Sequence, residues 1–350
     1  MNKLFTRWIL PALKLILAGA VMVWMFKGGK LDWGLILEGA LAPSVVLMGI
    51  GCNLFLISSA AVRWYLLLKG QGTSFPFKFA HYLTYVTSFF NLLIPGGVGG
   101  DALRLAFVLK QPAARKGQAA LTVILDRFLG LYTMLLIAAA FSLILLDHIL
   151  ASPPLTLLTF STFLLVVGGP PAALFILWLM RRSHQRPNWL KGRPGGRLER
   201  IFQLATEFAI FFNSSKKMVV ASILVSIVGQ LVGICSMLWI AHNLEIPIVP
   251  IENVFLAAPW AWIANILPIS PGGLGVGEAA FDQVCQWLSS APLMAAFGTV
   301  FLINRLFLLL ATLPGLLFFL FRSRWNPDKK NILPTDSEAI NHGVHKFVEP

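Results

Sequence analysis

Two Pro-Gly-Gly-x-Gly breaks interrupt a chain that is otherwise mostly apolar, and they limit the folds open to it more than any other feature. The first, residues 91–104, reads Asn-Leu-Leu-Ile-Pro-Gly-Gly-Val-Gly-Gly-Asp-Ala-Leu-Arg. The second, residues 265–278, reads Asn-Ile-Leu-Pro-Ile-Ser-Pro-Gly-Gly-Leu-Gly-Val-Gly-Glu. Average Pro and Gly usage gives one such pentapeptide a chance of roughly half a percent in a chain of this length, so two imply duplication. The likeness continues downstream. Pro95 is followed by Arg127 in Val-Ile-Leu-Asp-Arg-Phe-Leu, and Pro271 by Arg305 in Phe-Leu-Ile-Asn-Arg-Leu-Phe. The repeated unit is therefore a broken segment followed by a helix carrying a buried arginine.

The 350 residues are 57% hydrophobic and 12% charged, about half the usual charged fraction, which makes this an integral membrane protein. Runs long enough to cross the hydrocarbon, about 20 residues each, lie near 8–26, 43–68, 120–146, 155–180, 218–241 and 293–321. The net charge of +13 sits in the loops between them, where it sets orientation and meets anionic headgroups, so nucleic acid is not an expected partner. Cys52, Cys235 and Cys285 have no metal or disulfide spacing and are expected to be inert core residues. Lys3 and Arg7 before an apolar run faintly imitate a cleavable signal, but Lys14 and the extension to Phe26 favour an uncleaved first helix.

Counting Lys and Arg loop by loop places both termini in the cytoplasm of a cell (inner) membrane. Residues 79–118 then enter and leave on the cytoplasmic side as a hairpin tipped by the first glycine motif. Residues 254–292, with the acids Glu278 and Asp282, do so from the outside. Two short full spans would give the same sidedness. The predicted fold class is all-α integral membrane, with six full spans and two re-entrant Gly-tipped hairpins, eight hydrophobic segments in an inverted 3+3-type repeat. Repeat 1 covers 1–150 and repeat 2 covers 151–321. Residues 181–217 form a basic cytoplasmic loop with nine basic against two acidic residues, including an amphipathic stretch from Leu198 to Phe212, and 322–350 form a disordered tail. The two tips can meet near the middle of the bilayer, as in secondary transporters built from inverted repeats with broken helices at the binding site.

Glycines free the backbone from the helix, and helix restarts at Asp101 and near Glu278 turn unpaired N–H groups toward the gap, a setting that suits an anion. The expected headgroup residues are Asn91, Gly96, Gly97, Gly99, Gly100, Asp101, Arg104, Asp126, Arg127, Asn265, Gly272, Gly273, Gly275, Gly277, Glu278 and Arg305. Several have a plainer reading. Asp101 can cap its own helix, Arg104 can anchor at the cytoplasmic surface, and the span arginines can form structural pairs, Arg127 with Asp101 or Asp126 and Arg305 with Glu278. Arg63, beside Trp64 and Tyr65, reads as an interface anchor.

On Pro95 to Arg104, Asp126-Arg127, Pro271 to Glu278, and Arg305 with Pro314 after it, the chain resembles the flippase-like membrane region of lysylphosphatidylglycerol synthetases over about residues 10–320. The resemblance implies lipid movement between leaflets, of an anionic, glycosylated or aminoacylated lipid. The soluble aminoacyl-transfer domain of the full synthetases has no counterpart after Phe321, so synthesis of the aminoacylated lipid is not expected. Without a phosphate-binding Gly-x-x-x-x-Gly-Lys-Ser/Thr loop, ATP is not the direct drive, and no cofactor, metal or catalytic residue is expected. Partners would be a phospholipid or lipid-linked substrate, an envelope-lipid enzyme, or a second copy of the chain. A membrane-embedded lipid-linked transferase and a non-catalytic partner of an envelope-lipid enzyme are the alternatives.

Overall fold

The computed structural model describes residues 3–72, 75–93, 99–109, 116–182, 215–246, 252–267, 269–289 and 296–321, with the side chains of 3–11, 93, 116–120, 173–174 and 176–182 left out. Helix is the regular structure throughout these residues. In chain order the helices are α1 (Lys3–Lys27), α2 (Trp33–Leu41), α3 (Pro43–Gly70), α4 (Phe77–Leu93), α5 (Gly99–Leu109), α6 (Lys116–Ile144), α7 (Leu146–Leu150), α8 (Pro153–Arg182), α9 (Lys216–Asn243), α10 (Glu252–Ala264), α11 (Val276–Leu288) and α12 (Phe297–Leu320).

Five of the expected spans fall on α3, α6, α8, α9 and α12, each long and apolar enough to cross a membrane. The first, expected at 8–26, falls on α1, whose early side chains are outside the described residues. Both hairpins are made of shorter pieces. At 1.5 Å per residue, α4 is about 25 Å long, α5 about 16 Å, and α10 and α11 about 20 Å each, all short of the roughly 30 Å hydrocarbon core. The amphipathic stretch 198–212, the tail 322–350, and Gly96 and Gly97 lie outside the described residues.

The exterior is apolar and the interior is mixed, the inverse of a water-soluble bundle. Leu47, Ile16, Leu157 and Phe160 stand on the outer surface, while Asn53, Thr87, Thr133, Ser222 and Gln230 are buried. Cys52 and Cys285 are buried as expected, whereas Cys235 faces outward from α9, because the small residues of that helix occupy its inner face.

That inner face packs on α3, and the two helices run antiparallel. Ser215 Oγ donates to the Gly70 carbonyl at 2.6 Å, Gly229 lies against Ser59, and Gly233 against Leu56. A Cβ at Gly229 would come 1.9 Å from Ser59 Oγ, so small residues set this spacing, as they do at close helix crossings in membranes. The other contacts come in matched pairs. Helix α4 packs on α12 and α10 on α6, α3 packs on α12 and α9 on α6, and each hairpin's two arms pack on each other. Exchanging α3–α6 with α9–α12 leaves the set of packed pairs unchanged.

Contacts outside this core tie its edges. Lys30 Nζ lies 3.1 Å from Asp282 Oδ2, joining the turn after α1 to α11, and the Asp32 amide donates to Thr299 Oγ1 at 2.9 Å. Asp32 also accepts from the Leu35 amide at 3.0 Å, capping α2.

Two glycines mark where helices cross too closely for a side chain. A Cβ at Gly100 would lie 2.0 Å from the Thr87 carbonyl oxygen, and one at Gly315 2.4 Å from Tyr85 backbone. Gly100→Ala and Gly315→Ala are each expected to destabilise by about 1–3 kcal/mol through overpacking. Gly51→Ala, which meets nothing within 4 Å in the interior of α3, is expected to keep or slightly raise the thermal midpoint of the detergent-purified protein.

Candidate functional site

The second glycine motif can be followed atom by atom. Gly272, Gly273 and Gly275 all have positive φ (56°, 75° and 82°), a region that side chains avoid, so the backbone turns sharply between α10 and α11. Gly275 then opens α11, and its amide donates to Glu278 Oε2 at 2.8 Å. Glu278 is fully buried and also receives Arg305 through Nε and Nη2. The remaining Arg305 donors go to the Gly272 carbonyl, to the Gly273 carbonyl at 3.2 Å and to Asn265 Oδ1 at 3.1 Å. One guanidinium thus holds the ends and tip of the loop together. Gly277 belongs to the same knot, since a Cβ there would lie 2.2 Å from Asn265 Oδ1.

The first motif is built on the same plan with different partners. Asn91 Oδ1 accepts from the Gly100 amide at 2.8 Å, closing the break between α4 and α5. Asp101 Oδ2 pairs with Arg127 Nε at 2.6 Å, the counterpart of Glu278 with Arg305. Asp126, the other carboxylate considered for Arg127, is engaged elsewhere. Its Oδ1 takes Arg63 Nε at 2.7 Å and its Oδ2 takes Arg104 Nη1 at 2.8 Å. Arg104 Nη2 reaches Thr87 Oγ1 at 3.2 Å, and the guanidinium lies 4.5 Å from the Trp64 ring centre. Arg104 is therefore buried in the core and does not anchor at a membrane surface.

The expectation for Arg63 is likewise corrected. It is not an interface anchor: its Nη1 donates to Ser226 Oγ at 2.9 Å, and it sits inward where α3, α6 and α9 meet. Ser226 continues to Thr133 Oγ1 at 2.8 Å, and Thr133 to Gln230 Nε2 at 2.9 Å. A polar chain thus runs from α9 through α6 and α3 to α5.

The two motifs converge on one cavity of about 360 Å³, in the size range of ligand pockets. Of the expected residues, Asn91, Asp101, Arg104, Asp126, Arg127, Asn265, Gly272 and Arg305 line it. Gly99, Gly100, Gly273, Gly275, Gly277 and Glu278 are not on its wall, and Gly96 and Gly97 lie outside the described residues. The tips touch: a Cβ at Gly272 would lie 2.3 Å from the Leu92 carbonyl oxygen.

Arg63, Ser226, Gln230, Asn304 and Trp262 also line the cavity, and sequence reasoning missed them. A signal existed for Gln230, a strongly polar residue in the middle of an apolar run.

The cavity reaches the outer surface of the bundle at Arg127. The Arg127 side chain is 47% exposed, against 11% for Arg305. It shares the α6 face with Ile124 and Phe128, both exposed apolar residues. A cation bordering the cavity therefore stands beside side chains suited to lipid.

Arg305→Ala removes five donor contacts and strands a buried carboxylate, so a loss of about 3–5 kcal/mol is expected. Arg127→Ala, at a half-exposed pair, is expected to lower the thermal midpoint much less; equal losses would contradict this division of roles.

Residues 12–324 match the family model described as lysylphosphatidylglycerol synthase TM region. No curated protein and no solved structure shows a significant match to the chain.

Proposed function

This chain belongs to the lysylphosphatidylglycerol synthase TM region family, a multi-pass membrane family tied to lipid handling, and from that premise we propose that it is a lipid translocase. The headgroup crosses through the cavity between the two glycine-tipped hairpins while the acyl chains stay in the bilayer. The observation that carries this reading is the pairing of Asn91 with Asn265 and Arg127 with Arg305 around one cavity, with Arg127 at a lipid-facing rim. A polar wall with an apolar margin lets a headgroup leave water without drawing its tails from the hydrocarbon.

The inverted repeat is part of the proposal. Antiparallel packing of α3 on α9, with the interchangeable contacts of the two halves, supports a two-fold relation whose axis lies across these spanning helices. The Lys30–Asp282 pair joins two segments that the charge pattern assigns to the outside, and the Ser215–Gly70 contact joins two that it assigns to the cytoplasm. An inner-membrane location with both termini cytoplasmic is the orientation this implies. The wall carries polar side chains suited to holding a headgroup, and we assign the protein no covalent chemistry. An envelope-lipid enzyme or a second copy of the chain are the protein partners this role would suit.

The test is headgroup flipping in proteoliposomes, read as dithionite-accessible fluorescent lipid. Purified protein is expected to accelerate exchange over protein-free vesicles. Arg127→Ala, folded and only slightly less stable than the wild type, is expected to bring the rate back to background. Wild-type rates equal to protein-free vesicles, across anionic and glycosylated lipids, would remove the proposal.

A further inference from the structure

The two halves place different chemistry at one equivalent position. The residue before the span arginine is Asp126 in α6 and Asn304 in α12. Asn304 Oδ1 accepts from Asn53 Nδ2 at 3.1 Å and from Ser236 Oγ at 2.9 Å, a neutral cluster. Asp126 uses both oxygens on two guanidiniums, so one carboxylate serves Arg63 and Arg104 together. The other two arginines each have an acid of their own, Asp101 for Arg127 and Glu278 for Arg305.

Among the described residues that line the cavity or pair with its lining, four guanidiniums therefore meet three carboxylates. Residues 94–98, the part of the first glycine loop not described, are uncharged in sequence. One positive charge is left over, and it belongs to the Arg63–Asp126–Arg104 cluster. Arg104 is only 5% exposed, and its Nε has no hydrogen-bond partner among the described residues. An uncompensated charge and an orphaned donor at membrane depth both favour a negatively charged acceptor.

Building on the translocation reading, we propose that Arg63 and Arg104 form the headgroup seat. It takes a singly charged oxyanion of the phosphate-diester type, on a lipid whose headgroup carries no compensating cation. One negative charge brings the cavity to neutrality. A dianion overshoots it, and a cationic aminoacyl headgroup adds to the surplus, because each described acid at the cavity already holds an arginine. The neutral Asn304 cluster leaves the second half without an equivalent seat, so the anion binds on the side of the first repeat.

The experiment is binding of radiolabelled phosphatidylglycerol to the full-length protein in mixed micelles, competed with unlabelled lipids. Phosphatidylglycerol is expected to bind about tenfold or more tighter than phosphatidylcholine or lysylated phosphatidylglycerol, the factor of one charge-assisted hydrogen bond. Arg63→Gln removes the surplus and is expected to weaken binding about tenfold. Arg63→Lys keeps the charge and is expected to bind several-fold more tightly than Arg63→Gln. A merely structural role would make the two variants lose binding together, and that result, or equal affinity for the three lipids, overturns the proposal. The wild-type selectivity needs no variant to fold. Dimethyl phosphate has the same charge without tails, and competition by it at the lipid's own concentration would overturn the assignment to a lipid. Selective binding without accelerated flipping would sink the transport reading and leave the seat standing. Flipping without headgroup selectivity would do the reverse.

Discussion

The shared carboxylate of Asp126, held between Arg63 and Arg104, is the interaction on which the arrangement of the first half depends. Each ion loses several kcal/mol of hydration on leaving water, and attraction repays that only when donors and acceptors are well placed. Meeting that requirement fixes four helices at once: α6 supplies the acid, α3 and α5 the two bases, and α4 the threonine hydroxyl that accepts a further hydrogen bond from Arg104. Ser226 on α9 then ties the cluster to the second half. The short helices α4 and α5 are held against the long ones by this chain of charged hydrogen bonds, where apolar packing alone would leave them free to slide.

The second half reaches the same shape with fewer charges. Its loop is closed by one arginine acting on two carbonyls, an amide and a carboxylate, while the position matching Asp126 is neutral. The two halves thus share a backbone plan and differ in their electrostatics. Arg305 is spent on holding its own loop, and Arg127 is left at the rim.

Close approach is the other constraint, and glycine meets it. The tips touch at Gly272 and Leu92, the long helices at Gly229 and Ser59, and the hairpin arm of the first half meets α12 at Gly315. In lipid, where helices gain no hydrophobic drive from meeting one another, such contacts bring backbones near enough for dispersion and polar bonds to hold them.

Much of this was written in the linear order of residues. The apolar runs placed five long helices, because hydrocarbon thickness sets a length that a sequence either has or lacks. The paired glycine motifs located both breaks, and the spacing to the span arginines put Arg127 with Asp101 and Arg305 with Glu278 among the few possible pairs, since an arginine at that depth must find an acid. What the order of residues left open was rotation. Whether Arg63 looks out to the interface or in to Asp126 depends on how α3 turns about its axis. That turn is fixed by Gly229 and Gly233 of α9, about 170 residues away along the chain. The same packing turned Ser226 and Gln230 inward and Cys235 outward. Sequence determined that the interior must hold charges, and only the tertiary structure decided how many and which of them share a partner, because both depend on helix rotation and on distances between helices that no local pattern records.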